Sequence, residues 1–197
     1  MGMIRSHIKK VMPKVHEGLY FPFMLFTSII FSLRRFFFGT ENALNYLKTI
    51  DSRSIRLILI LHGASIGKRT EIKAGVVFHN CKNFKNLTIG DDCHIGRECF
   101  FDLRDRVIIG NKVVISMYTR FVTHIDMSQS SLSILYPADQ ESILIEDNVY
   151  IGIGSTVLKG VRVGHSSLIA ADSLLNRSIP PRVMAAGNPA LIIKEIR

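Results

Sequence analysis

Five histidines beyond the first twenty residues could carry acid–base chemistry near neutral pH: His62, His79, His94, His124 and His165. His124 stands apart by its surroundings. It lies in Phe121-Val-Thr-His-Ile-Asp126, with a carboxylate two residues on and a long excursion after it. A carboxylate beside an imidazole fixes its tautomer, so the pair could serve as an oriented general base. His79 falls in an irregular segment and could support substrate binding. Asp102 has two open readings, a hydrogen-bond acceptor for a substrate hydroxyl and a turn residue. The cysteines Cys81, Cys93 and Cys99 are odd in number and form no Cys-x-x-Cys pair. They argue against a disulfide framework or a thiolate metal site, and reduced thiols fit the cytoplasm.

These groups must be positioned by a chain that counts in sixes. Aliphatic residues recur at Ile66 and Ile72, Ile89 and Ile95, Ile109 and Ile115, then Ile145, Ile151, Val157, Val163, Ile169 and Leu175. Four places after them stand small or β-branched residues: Thr70, Val76, Cys93, Cys99, Val113, Thr119, Val149, Ser155, Val161, Ser167 and Ser173. A helix needs a period near 3.6 and a plain strand a period of 2, so a period of six predicts short strands separated by turns in a solenoid. Cys93 and Cys99 then read as packing residues. The count slips at His79–Thr88 and across Asp102–Arg106, and it opens widely at Met127–Leu144, a stretch carrying Pro137. A long excursion from a rigid solenoid points to function.

The pattern aliphatic-Gly-x-x-small-x resembles that of the hexapeptide-repeat acyltransferases. Phe101-Asp102-Leu-Arg104 followed by Ile109-Gly110-Asn111 resembles their sugar and polysaccharide O-acetyltransferase branch. The resemblance implies an all-β solenoid, a left-handed parallel β-helix with three hexads per coil, assembled as a homotrimer. It implies acetyl-CoA as cosubstrate, no metal, and direct transfer of the acetyl group to a sugar or glycan hydroxyl in capsule, O-antigen or exopolysaccharide biosynthesis. His124 is then the base. Relatives carry a histidine eleven residues after the equivalent of Ile115; here that place holds Asp126. Either Asp126 orients His124 or activity is lost. The C-terminal Ser178-Ile-Pro-Pro-Arg182 and Gly187-Asn188-Pro189-Ala190 resemble the coenzyme A-dependent members. By position, Ala171 and Asn176 line the pantetheine arm, with Gly152 and Ile153 further along. Arg177 and Lys194 stand near the coenzyme's phosphates, and Leu191 stands where some relatives place Arg. Two alternatives stay open: an amino-sugar N-acetyltransferase with the same parts, and a non-catalytic β-helix interaction protein. A zinc enzyme of carbonic-anhydrase type would need three convergent histidines, which this spacing does not provide.

Composition sets the remaining bounds. With 47% apolar and 21% charged residues among 197, the chain is built to fold. The net charge of +9 is uneven: residues 1–60 hold nine Lys/Arg against three Asp/Glu. No Arg-interleaved aromatic platform lies beyond that segment, so nucleic acid is not an expected partner. Leu19–Leu33 is apolar but, at fifteen residues, short of the roughly 20 that span a bilayer. No small-residue cleavage site follows it, which argues against a signal peptide. Residues 19–38 could pack on protein or lie in a membrane interface, which would place the protein at the inner face of the membrane. The expected organisation is a helical, apolar and basic extension over 1–62, a β-helix domain over 63–180 with its excursion at 126–144, and a coenzyme-side segment over 181–197.

Overall fold

The computed structural model describes residues 2–197, with side chains from Tyr20 onward. Two helices precede the solenoid. Helix α1 spans Gly2–Leu47 and is broken at Gly39, whose φ of 85° and ψ of 171° are not helical. Helix α2 spans Ser52–Leu61; the Asp51 carboxylate caps it by accepting from the backbone N–H of Arg53 and Ser54. Gly63, at φ 107°, follows the C-cap residue His62 and ends the helix. The apolar segment does not stop at Leu33. The helix runs on through Arg34 and Arg35 because both guanidiniums find partners. Arg34 donates to Asn42 Oδ1 and lies over the Tyr46 ring, and Arg35 Nη1 is 3.2 Å from His62 Nδ1. By length and composition alone, Tyr20–Leu47 is long and apolar enough to cross a membrane.

From Ser65 on, the chain coils through three parallel sheets. The first contains Ser65–Ile66, Leu87–Ile89, Val107–Ile109, Ile143–Ile145 and Arg162–Val163. The second contains Glu71–Ile72, His94–Ile95, Val114–Ile115, Tyr150–Ile151 and Leu168–Ile169, and is extended by Val183–Ala186 and the antiparallel Leu191–Glu195. The third contains Val77–His79, Phe100–Asp102, Arg120–Val122, Thr156–Leu158 and Leu174–Leu175. Each strand pairs with the strand one coil away, so hexad aliphatics fall in register: Ile66, Ile89, Ile109, Ile145 and Val163 form one column. Ile72, Ile95, Ile115, Ile151 and Ile169 form a second.

The third column is aromatic at its upper end. Phe78, Phe101 and Phe121 lie one above another with ring centroids 5.6 and 4.9 Å apart. Phe84, from the irregular segment, closes this column edge-on, and Phe31 of α1 packs over Phe84. The helices thus cap the open end of the solenoid. Every small residue four places after an aliphatic is buried, as a tight corner requires. One signal went unread. The residue three places after the aliphatic takes the left-handed conformation, at Arg69, Asp92, Glu98, Lys112, Tyr118, Asn148, Ser166 and Asp172, and at Gly75, Gly154 and Gly160. Gly, Asp and Asn tolerate that conformation best and are frequent there.

Truncating Phe101 to Ala removes the middle ring of the column, and the coils above and below cannot close on the gap. We expect a loss of about 3–5 kcal/mol in chemical denaturation, against less than about 1.5 kcal/mol for a conservative swap such as Ile109→Leu.

Candidate active site

The site grows out of the edge where the third sheet turns toward the first. Asp102 ends its strand directly below His79, in register with it. Burial leaves Asp102 1% exposed and by itself would push its carboxyl up. Hydrogen bonds reverse this. Asp102 Oδ2 accepts from His124 Nδ1 at 2.5 Å, from Thr123 Oγ1 at 2.8 Å and from Thr123 N–H at 2.9 Å, and Oδ1 accepts from Asn80 Nδ2 at 3.1 Å. The net result is a carboxyl held below its ordinary range, so a buried anion sits against the imidazole.

With Nδ1 engaged as a donor, His124 Nε2 is left as the basic nitrogen. The His124 side chain keeps 18% exposure, so Nε2 is reachable from outside. Asn80 Nδ2 lies 3.4 Å from it. Chemically this is an imidazole oriented by a buried carboxylate, suited to removing a proton from a weak acid such as an alcohol.

The partner of His124 is therefore Asp102 and not Asp126. Asp126 turns away and accepts from Arg104 Nη1 at 2.8 Å and from Ser128 N–H at 3.0 Å; the Arg104 bond holds its carboxyl far below the usual range. Its place is at the root of the excursion, which it ties to the solenoid. The reading of Asp102 as a substrate acceptor gives way for the same reason, because its oxygens are taken up by protein donors. His79 is exposed beside the site, its ring tilted against Phe100. Asn80 and Thr123 went unnoticed in the sequence. A signal was there: Asn80, Asp102 and His124 follow one another at intervals of 22 residues.

The excursion leaves the solenoid immediately at His124. His124–Ile125 pairs antiparallel with Asp139–Gln140, and a short turn of helix, Ser131–Ile134, forms the tip. This tip is less polar than the stretch as a whole suggests, with Leu132, Ile134, Leu135 and Tyr136 exposed.

The residues predicted to hold the coenzyme fall on two different edges. Ile153 and Ala171 stack at the turn between the second and third sheets, where Asp172 N–H donates to Ile153 O. Asn176 and Arg177 lie on the edge between the third and first sheets, the edge of His124, two coils further on. Lys194 pairs with Met184 on the C-terminal strand. Ile153, Ala171, Asn176, Arg177 and Lys194 are exposed, whereas Gly152 is buried. A Cβ on Gly152 would stand 2.5 Å from Ala171 N, so this glycine serves the close approach of neighbouring coils. Cys99 is a packing residue whose thiol is pushed up to about 12 by burial. Among the described residues, no group of three or more His, Cys, Asp or Glu is placed to hold a metal ion.

Residues 86–117 and 142–176 match a family model described as the hexapeptide repeat of succinyl-transferase. Over these two stretches the chain carries the repeat that marks hexapeptide-repeat acyltransferases. Among curated relatives it is 34% identical to a putative acetyltransferase of Saccharomyces cerevisiae, over 59% of each chain. It is 32% identical to the galactoside O-acetyltransferase of Escherichia coli, over 68% of this chain and 64% of the relative. The chain thus spans about three-fifths of the length of these relatives. Its fold is similar to that of a maltose O-acetyltransferase from Clostridium difficile, with a TM-score of 0.65 and 23% identity over 89% of this chain and 86% of that one. A hexapeptide-repeat acetyltransferase from Vibrio cholerae is alike to the same degree, TM-score 0.65 and 23% identity, over 77% and 84% of the two chains.

Asp102→Ala strands the Thr123 donors and should cost about 1–3 kcal/mol of stability at pH 7. Because the folded carboxyl titrates below its unfolded value, its contribution is full above the unfolded pKa and fades as pH falls through the folded one. The gap between variant and wild type in urea titrations should therefore narrow from pH 7 toward pH 3.

Proposed function

We propose that this protein transfers the acetyl group of acetyl-coenzyme A to a hydroxyl of a sugar or glycan, the acceptor belonging to capsule, O-antigen or exopolysaccharide synthesis at the cytoplasmic face of the membrane. The observation that carries the reading is the outward-facing Nε2 of an imidazole whose other nitrogen is bound to a buried anionic carboxylate. In this reading His124 Nε2 takes the hydroxyl proton as the acceptor oxygen attacks the thioester carbonyl carbon. Backbone N–H groups at the solenoid edge face the developing oxyanion. Collapse of the tetrahedral centre breaks the carbon–sulfur bond, and the imidazolium returns the proton to the departing thiolate. Asp102 holds the ring in the correct tautomer throughout and stabilises its charged form.

A homotrimer of left-handed coils supplies what one chain lacks. Within a chain the base and the Ile153–Ala171 turn lie on separate edges. Setting one subunit's His124 edge against the next subunit's Ile153 edge puts base and coenzyme groove on the two walls of one cleft. Exposed Val114, Met117, Tyr118 and Tyr150 line the second sheet and its edge, and such apolar residues suit a subunit contact. Arg177 and Lys194 form no ion pair among the described residues and are cations fit for the coenzyme's phosphates.

His124→Ala should lower kcat/KM for acetyl transfer to a galactoside by about 10²–10⁴-fold. Asp102→Asn should lower kcat as well, and Asp126→Asn should stay near wild type. A thiol-release assay with hydroxyl and amine acceptors checks all three, and full turnover in His124→Ala would overturn the reading. Tyr150→Asp places a charge in the proposed contact. It should convert a threefold species into monomers by light scattering and abolish turnover, although His124 is untouched.

A further inference from the structure

Helix α1 is amphipathic the wrong way round for a helix that only packs on its own domain. Its inward side carries Thr27 and Ser28 beside Phe31, all buried, and the Thr27 hydroxyl is satisfied by Met24 O at 2.8 Å. Its outward side carries Phe21, Phe23, Phe26, Leu33, Phe36 and Phe37, with Phe36 81% exposed. At 100° per residue these six spread over roughly 200° of the helix circumference. A seam against one partner helix is far narrower. Basic residues flank the face in the sequence: Arg5, Lys9, Lys10 and Lys14 precede it, opposed by Glu17.

The inner contacts decide how such a helix can meet lipid. Phe31 packs against His62 and Phe84, Arg53 lies over the Tyr20 ring, and Arg34 and Arg35 are engaged by Asn42 and His62. Between Tyr20 and Arg35 one flank of α1 thus rests on the protein, so lipid cannot surround that stretch. Only the aromatic flank is open, which suits a helix lying in the headgroup plane with its rings in the acyl boundary. We infer that α1 docks the cap of the solenoid onto an anionic bilayer through this aromatic face, a surface whose charge complements the Lys/Arg that precede the face in the sequence. His124 lies two coils from the first coil, a distance of roughly 10 Å at normal strand spacing. If the acetyl-transfer reading holds, docking sets the base about 20 Å from the lipid surface, two coils plus the thickness of α1, and favours a lipid-linked glycan as acceptor.

The full-length protein is sedimented with phosphatidylglycerol–phosphatidylcholine vesicles and with phosphatidylcholine vesicles alone, at low and high salt. The inference expects pelleting with the anionic vesicles, reduced by salt. It expects at least a tenfold loss of partitioning in Phe26→Ser/Phe36→Ser/Phe37→Ser, with circular dichroism and elution volume unchanged. Lys9→Gln/Lys10→Gln/Lys14→Gln leaves the aromatic face intact and should remove the salt-sensitive part of binding. A wild type that stays in the supernatant would overturn the inference. So would a serine variant that pellets like wild type, or one that elutes at half the wild-type mass, since the face would then join copies of the chain. Transfer to a soluble galactoside without vesicles should be the same in wild type and the serine variant. Its absence in both would count against the acetyl-transfer reading and leave the vesicle result standing.

Discussion

In-register stacking of one coil on the next is the constraint from which the remaining structure follows. Each coil donates its backbone N–H groups to the carbonyls of its neighbour, as Gly90 does to Ile109 and Gly110 to Ile145. A slip of one residue would turn every aliphatic outward and break three columns at once. That penalty is why interruptions of the sixfold count are confined to corners, where the chain can leave and rejoin without shifting the ladder. The site occupies such a corner. Its residues come from three successive coils and are brought together by stacking, not by proximity in the chain.

Stacking also sets the electrostatics. A carboxylate on a free loop would meet its histidine only part of the time. Asp102 is fixed against His124 because Phe101, the residue before it, is held between Phe78 and Phe121. The backbone of the coil beneath contributes as well, since Thr123 N–H aims at the same oxygen. Packing and polarity cooperate here: the aromatic column excludes water on one side, and the donors keep the buried charge from becoming an orphan.

Much of the fold was legible in the sequence because a period of six has few structural solutions. The corner residues Cys93, Cys99 and Ser155 were placed correctly from spacing alone. The site was legible in its base and not in its partner. Asp126 is near His124 along the chain, and Asp102 is near it only through the pairing of coils, a relation that local reading passes over. Arg104 decides the matter by capturing Asp126. The helical extension was legible, but the length of its apolar segment was not, for a related reason. Arg34 and Arg35 look like the end of an apolar segment, but both guanidiniums are hydrogen-bonded, Arg34 to Asn42 beyond the Gly39 break and Arg35 to His62, and the helix continues.

The solenoid places its functional groups at distances counted in whole coils. His124 and Asn176 share an edge two coils apart, a vertical offset of roughly 10 Å. Duplication or deletion of one coil between them would change that offset by a single step of about 4.8 Å while leaving each corner's local geometry intact. The protein therefore works as a ruler with fixed graduations, and the reach of any long ligand laid along that edge is quantised by the architecture, not tuned by side chains.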